Sequence, residues 1–291
     1  MSGSSDNPRS GSAVASGREF ASSFFKSVLI LTSPLYLLTA LTSNGKQLRE
    51  SKSLQGGLYI SLATLIPMVS ALLVTSGKTE RYQHCLRCFR FYRDKWIWYS
   101  IAGLGGPFLY ALSYYTVIIL YPNQTMAGPM ISPGQITILV PSIIVIHIMA
   151  ATEEIGWMGY AFPAMMQCSN NNALKTSIQL GICWALWHAP FFFFLFPEPK
   201  AISVPCQALV LLSERIILCW IYQNSHGSVS AVILYHAMDN VALLVGPDVK
   251  GLSPVAPCLY AILSATFVVL LNDGKTLTCK KVGWNVRLNE K

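Results

Sequence analysis

The chain has 291 residues, 53% of them hydrophobic and 12% charged, with a net charge of +8. Soluble domains of this length carry about 25% charged residues, so half that share leaves too little polar surface to coat a water-soluble globule. The basic balance does not point to nucleic acid, because the lysines and arginines are joined to no nucleic-acid-binding module.

Hydrophobic runs account for the missing charge. Residues 1–22 are rich in Ser and Gly and read as a disordered cytosolic tail. No short apolar region starts near the terminus, so a cleavable signal peptide is not expected, and the first span should act as its own insertion signal. Apolar runs then follow at about 24–41, 56–75, 96–120, 135–155, 176–196, 201–222, 227–246 and 254–271. Each is close to the ~20 residues that cross a ~30 Å hydrocarbon core. The first is short and holds Pro34. Helices satisfy every backbone N–H and C=O internally, which an open sheet in lipid could not do. The expected fold is therefore all-α: a polytopic membrane bundle of about eight transmembrane helices over residues 23–272. A cytosolic tail, 273–291, closes the chain.

The basic residues divide unevenly between the two sides of such a bundle. Fifteen lie on the side of the N-terminal tail, the second connection and the C-terminal tail, against five on the other side. The positive-inside bias then places both termini in the cytosol. The sequon Asn123-Gln124-Thr125 falls on the opposite side. Most of the eight cysteines, such as Cys183, Cys206, Cys219 and Cys258, sit in apolar runs and read as small core residues. Cys85 and Cys88 form a CxxC beside His84, but no second ligand pair has zinc spacing, so no metal and no cofactor are expected. Nothing in the pattern bears on oligomeric state.

Three polar clusters stand at bilayer depth. Glu153-Glu154 ends the fourth run, Trp184 and His188 lie within the fifth, and His236 and Asn240 within the seventh. A charge at a helix centre costs about 2.5–3.5 kcal/mol on insertion scales, and such residues usually face the bundle interior and serve a function. Adjacent helical residues point about 100° apart. Glu153 and Glu154 therefore cannot aim at one point: one can line a cavity while the other braces a neighbouring helix. His236 and Asn240 share a face at i,i+4, as do Trp184 and His188. A carboxylate shielded from water is a competent general base near neutral pH. A histidine can share its proton, and a second histidine with an amide can donate to a developing oxyanion. This set suits hydrolysis of an amide bond without a covalent intermediate. The same groups could instead tie helices together. Two histidines and a carboxylate could also bind zinc, though no HExxH is present.

At these residues the sequence resembles the type II CAAX prenyl endopeptidase family, membrane-embedded glutamate proteases that include bacteriocin-processing relatives. The family is marked by EExxxR, FxxxH and HxxxN, matched in order by Glu153-Glu154, His188, and His236 with Asn240 over roughly residues 135–246. The resemblance implies that Glu153 activates water with help from His188. It implies too that His236 and Asn240 form the oxyanion hole, that Glu154 supports the site, and that the substrate is a prenylated or otherwise hydrophobic protein or peptide cut near its C-terminus. Two positions depart from the pattern. Trp184 replaces the Phe, and Met158 replaces the Arg, leaving Glu154 without the partner one turn away. Arg215, beside Glu214 in the sixth run, is a candidate source of the missing charge; the alternative is that Glu214 and Arg215 pair locally. Trp184 is a candidate wall of the site, and Trp157 a candidate supporting residue.

His147 reads as a core histidine and His226 as interfacial, while Gly156, Gly159 and Pro163 read as architectural. Two other functions fit the residues: a catalytically altered relative that binds lipidated or hydrophobic partners, and a proton- or cation-coupled transporter. The latter predicts an inverted repeat, and none is visible. The membrane would be that of the endoplasmic reticulum in a eukaryote or the plasma membrane in a bacterium.

Overall fold

A computed structural model describes residues 8–42, 54–76, 90–122, 136–195, 200–246 and 254–279. Among these residues every regular element is a helix, apart from one isolated antiparallel bridge between Asn272 and Cys279. Helix α1 spans Pro8–Thr42, α2 Leu54–Ala63 and α3 Ile66–Thr75. A single 3-10 turn, Arg93–Lys95, leads into α4, Trp96–Leu120. Helix α5, Ile136–Gly156, continues through a π-helical turn at Trp157–Ala161 into α6, Phe162–Cys168. Helices α7 (Ala173–Leu195), α8 (Lys200–Asn224), α9 (Val229–Val245) and α10 (Val255–Leu271) complete the order.

All eight apolar runs are helical, and the fold is the all-α membrane bundle that composition demands. Three stretches, Ala21–Thr42, Arg93–Leu120 and Ile202–Asn224, are long and apolar enough to cross a membrane on length and composition alone. The outer surface agrees: Ile30, Leu104, Ile119 and Leu270 each leave more than two thirds of their area uncovered. In water such an apolar girdle would drive association; against acyl chains it is the matched surface.

The structure departs from the sequence reading at two places. Helix α1 begins at Pro8, inside the stretch expected as a disordered tail. Pro is favoured in the first helical turn, where its missing N–H is not needed, and a formed helix extends at little cost per added residue. The second run is two helices, broken at Thr64-Leu65. Pro67, in the first turn of α3, has no N–H to continue the ladder. Residues 273–279, expected as the start of the cytosolic C-terminal tail, pack on the bundle. They fold back so that the Lys275 carbonyl accepts from the N–H of Ala173 at 2.7 Å, at the start of α7. Asn224 Nδ2 donates to the Leu277 carbonyl at 2.8 Å, and the Cys279 N–H donates to Asn224 Oδ1 at 3.0 Å. Leu277 is fully buried beneath this clasp. The sequon at 123 and the CxxC at 85–88 lie outside the described residues.

Helix α7 packs along α8, and α9 lies between α4 and α5; α10 covers α8 and α4, α3 covers the other flank of α5, and α1 packs on α2, α3 and α6. Small residues set the closest approaches. A Cβ on Gly156 would come within 2.4 Å of the Pro67 carbonyl carbon, so α5 and α3 touch backbone to backbone there. A Cβ on Gly106 of α4 would lie 2.8 Å from the Asp239 Cα on α9. These contacts fix how far the polar faces of α5 and α9 are turned inward.

Candidate active site

The two glutamates stand at the C-terminal end of α5, immediately before the π-helical turn. Pro163 lies two residues past that turn; it cannot donate to the Gly159 carbonyl four residues back, and its ring crowds that carbonyl, so the turn widens. Both carboxylates are buried, Glu154 completely. They divide as adjacent helical residues must. Glu154 braces two neighbours: Arg215 Nη1 of α8 donates to its Oε2 at 2.7 Å, and His236 Nδ1 of α9 bonds its Oε1 at 2.9 Å. Glu153 turns to α7, where the Trp184 indole N–H donates to its Oε2 at 3.2 Å.

Trp184 is the hub. Its ring lies 5.0 Å from that of His188 and 5.6 Å from that of His236, both edge-on. The Arg215 guanidinium carbon sits 4.0 Å over its face, within the range of a cation–π contact. One indole therefore touches a carboxylate, both imidazoles and the guanidinium. His188 Nδ1 lies 3.0 Å from the carbonyl of Trp184. A carbonyl only accepts, so Nδ1 carries a proton, and in the neutral imidazole Nε2 keeps its lone pair. Phe192 stacks on the same imidazole at 5.8 Å and 15°.

Four helices, α5, α7, α8 and α9, thus converge on Glu153, Glu154, Trp184, His188, Arg215 and His236. Asn240, half-buried one turn beyond His236, is joined to neither carboxylate nor His188 by a hydrogen bond. Trp157 is fully buried on the α1 side instead, its ring 5.4 Å from Phe24 and 5.8 Å from Trp187. Met158 is fully buried, with its Sδ 3.9 Å from Cys219 Sγ on α8. His147 bonds the Ile143 carbonyl of its own helix at 2.9 Å, and His226 bonds Asp94 at the exposed turn between α8 and α9.

Two neighbours escape sequence reasoning. Tyr36 of α1 is buried near Glu153. Trp187 donates from its indole to Thr32 of α1 at 3.0 Å, tying α7 to the first helix beside His188. Neither carries a spacing signal, because both contacts cross between helices far apart in the chain.

Fold and site define a class: an all-α polytopic membrane protein with a carboxylate–histidine–guanidinium cluster buried between its helices. Residues 135–242 match the family model described as Type II CAAX prenyl endopeptidase Rce1-like. The chain is also 30% identical over 112 residues to CAAX prenyl protease 2 of Methanococcus maripaludis. That alignment covers 36% of this chain and 40% of the relative's length. The resemblance to type II CAAX endopeptidases holds over the segment that carries all three motifs.

Proposed function

We propose that this protein is an intramembrane endopeptidase that removes the C-terminal tripeptide of prenylated CAAX proteins, with Glu153 and His188 activating the water. The observation that carries the reading is the burial of Glu153 against the Trp184 N–H, with a histidine held by its Nδ1 on the Trp184 carbonyl and packed on the same ring. Glu153 takes a proton from water, His188 Nε2 shares it, and the resulting hydroxide attacks the scissile carbonyl carbon. The carbonyl oxygen gains the charge and is stabilised by His236 Nε2 and the Asn240 amide. To donate there while its Nδ1 bonds Glu154, His236 carries both ring protons. The cluster then holds two carboxylates and two cations and is neutral overall. Collapse of the tetrahedral centre breaks the C–N bond, and the proton held by Glu153 and His188 goes to the leaving amine. No covalent intermediate is needed. Cytosolic termini, as the basic residues place them, suit a site that receives C-terminal peptides from the cytosol while the prenyl chain stays in the apolar phase.

The test is cleavage of a fluorogenic farnesylated CAAX peptide by the purified protein and by Glu153→Ala. The expected result is release of the tripeptide by the wild type, insensitive to chelators, with a loss of about 10²–10⁴-fold in the variant. A second reading, a catalytically altered relative that binds lipidated partners, is favoured by one observation: Met158 lies in apolar contact where the related motif has arginine. Binding of the farnesylated peptide without cleavage would select it.

A further inference from the structure

We propose that Arg215 is the positioning cation of this site and sets the geometry of both carboxylates, and that positions 158 and 215 are alternative sources of a single cation. This rests on the glutamate–histidine reading above. Glu154 is fully buried beside Glu153, and the protonated His236 on its Oε1 balances only one of the two carboxylates, so a second cation is needed; an uncompensated buried charge is strongly destabilising. Two positions can deliver it. Position 158 lies one turn along the same chain segment, and position 215 lies across the interface on α8. The two belong to one neighbourhood, because Met158 packs on Cys219, one turn from Arg215 on α8. In this chain position 158 is apolar, and the charge comes from α8 at 2.7 Å.

Delivery from α8 adds a second contact. The guanidinium carbon lies over the Trp184 ring, 4.0 Å from its centroid, and the same indole donates to Glu153. One arginine thus holds Glu154 by an ion pair and Glu153 through the ring it pins. The helix interface is shaped for this. A Cβ on Gly181, three residues before Trp184, would lie 2.7 Å from Leu212 Cδ1 and 3.3 Å from Arg215 Cβ, so glycine lets α8 come close enough to lay its arginine over the ring. Arg215 Nε and Nη2 have no hydrogen-bond partner among the described residues. The aromatic face and one carboxylate therefore locate this side chain. A lysine, a point charge on a flexible stem, would reproduce the pairing but not the stacking.

The experiment compares wild type, Arg215→Met, Arg215→Lys, Met158→Arg and the exchange variant Met158→Arg/Arg215→Met, using the full chain in detergent. The farnesylated peptide reports kcat and KM per folded molecule, and thermal unfolding is recorded alongside. Arg215→Met should lose about 100-fold in kcat with KM within about threefold, the signature of a group acting on the reacting geometry. The exchange variant should recover at least about tenfold of that loss, and Arg215→Lys should fall between. Met158→Arg alone should unfold at a lower temperature than wild type, because two guanidinium groups then crowd one carboxylate. Unchanged kcat per folded Arg215→Met molecule would reduce Arg215 to a structural strut and overturn the proposal. So would an exchange variant no better than Arg215→Met. Should Arg215→Met fail to fold, the exchange variant decides alone: folded and active sustains the shared cation, unfolded or inactive overturns it. A wild type that cleaves nothing would defeat the protease reading separately. The shared cation is then judged by unfolding temperature, sustained if the exchange variant regains what Arg215→Met loses and overturned if it does not.

Discussion

The residue-scale lesson lies in Trp184, whose side chain is in contact with Glu153, His188, His236 and Arg215 together. Its two properties separate by substitution. Trp184→Phe keeps an aromatic face under the guanidinium and deletes the N–H donated to Glu153. It should lower kcat about tenfold, near the value of one hydrogen bond to a charged group, with little change in thermal unfolding. Trp184→Leu should lose both contacts and fall further. The two glutamates should separate in the other direction. Glu154→Gln leaves Arg215 buried without its charge partner and should cost about 3–5 kcal/mol of stability, read by thermal unfolding in detergent. Replacing Glu153, whose partner is a neutral indole, should act mainly on catalysis. The sequence motif treats the pair as one unit; the structure gives one carboxylate to the fold and leaves the other to the proposed chemistry.

Helix positions matter because the polar clusters sit on different elements and must be aimed. The wide turn at Trp157–Ala161 and the backbone contact of Gly156 with Pro67 together orient the end of α5. Gly156→Ala would push a methyl group into the Pro67 backbone and should cost about 1–3 kcal/mol through overpacking, measured by the midpoint of thermal unfolding. The C-terminal clasp acts on α7 and α8, the two helices that bear Trp184 and Arg215. Asn224→Ala removes the partner of both the Leu277 carbonyl and the Cys279 N–H. It should lower stability by about 1–3 kcal/mol while leaving KM for a peptide substrate close to wild type. Broken Thr64-Leu65 and the long α1 show the limit of hydropathy as a guide to elements. A run of apolar residues shows where lipid is faced, and prolines and chain extension decide where a helix starts or breaks.

Across the whole molecule, the apolar girdle and the buried polar centre are two sides of one arrangement. Lipid takes the hydrophobic exterior, and the ionisable groups are confined to the interior, where they pair with one another. Phe108, near the middle of α4, leaves 62% of its surface uncovered. Phe108→Arg should cost about 2.5–3.5 kcal/mol of insertion and appear as a reduced membrane-inserted fraction, whereas the same change on a connecting turn should be neutral. The wild-type chain should stay with the membrane through an alkaline wash that strips peripheral proteins. The segment similar to type II CAAX endopeptidases, residues 135–242, spans α5 to most of α9 and includes every polar residue of the centre. Helices α1 to α4 and α10 form the flanks that seal it.

Much of this protein was legible in its sequence, because the properties involved are local. The all-α bundle follows from apolar runs set against bilayer thickness, and the three polar clusters stand out because ionisable residues are rare at that depth. The i,i+4 spacing puts His236 with Asn240 and Trp184 with His188 without reference to any other helix. Partner choice was decided only by the tertiary structure. Whether Arg215 meets Glu154, whether Trp184 gives its N–H to Glu153, and whether residues 273–279 return to α7 and α8 all depend on how helices are rotated and how closely they pack. Those quantities are fixed by contacts such as Gly156 on Pro67 and Gly181 on Leu212, made between residues far apart in the chain. Such contacts leave no periodic trace in either partner, so a sequence shows the charged groups while the fold assigns their pairs.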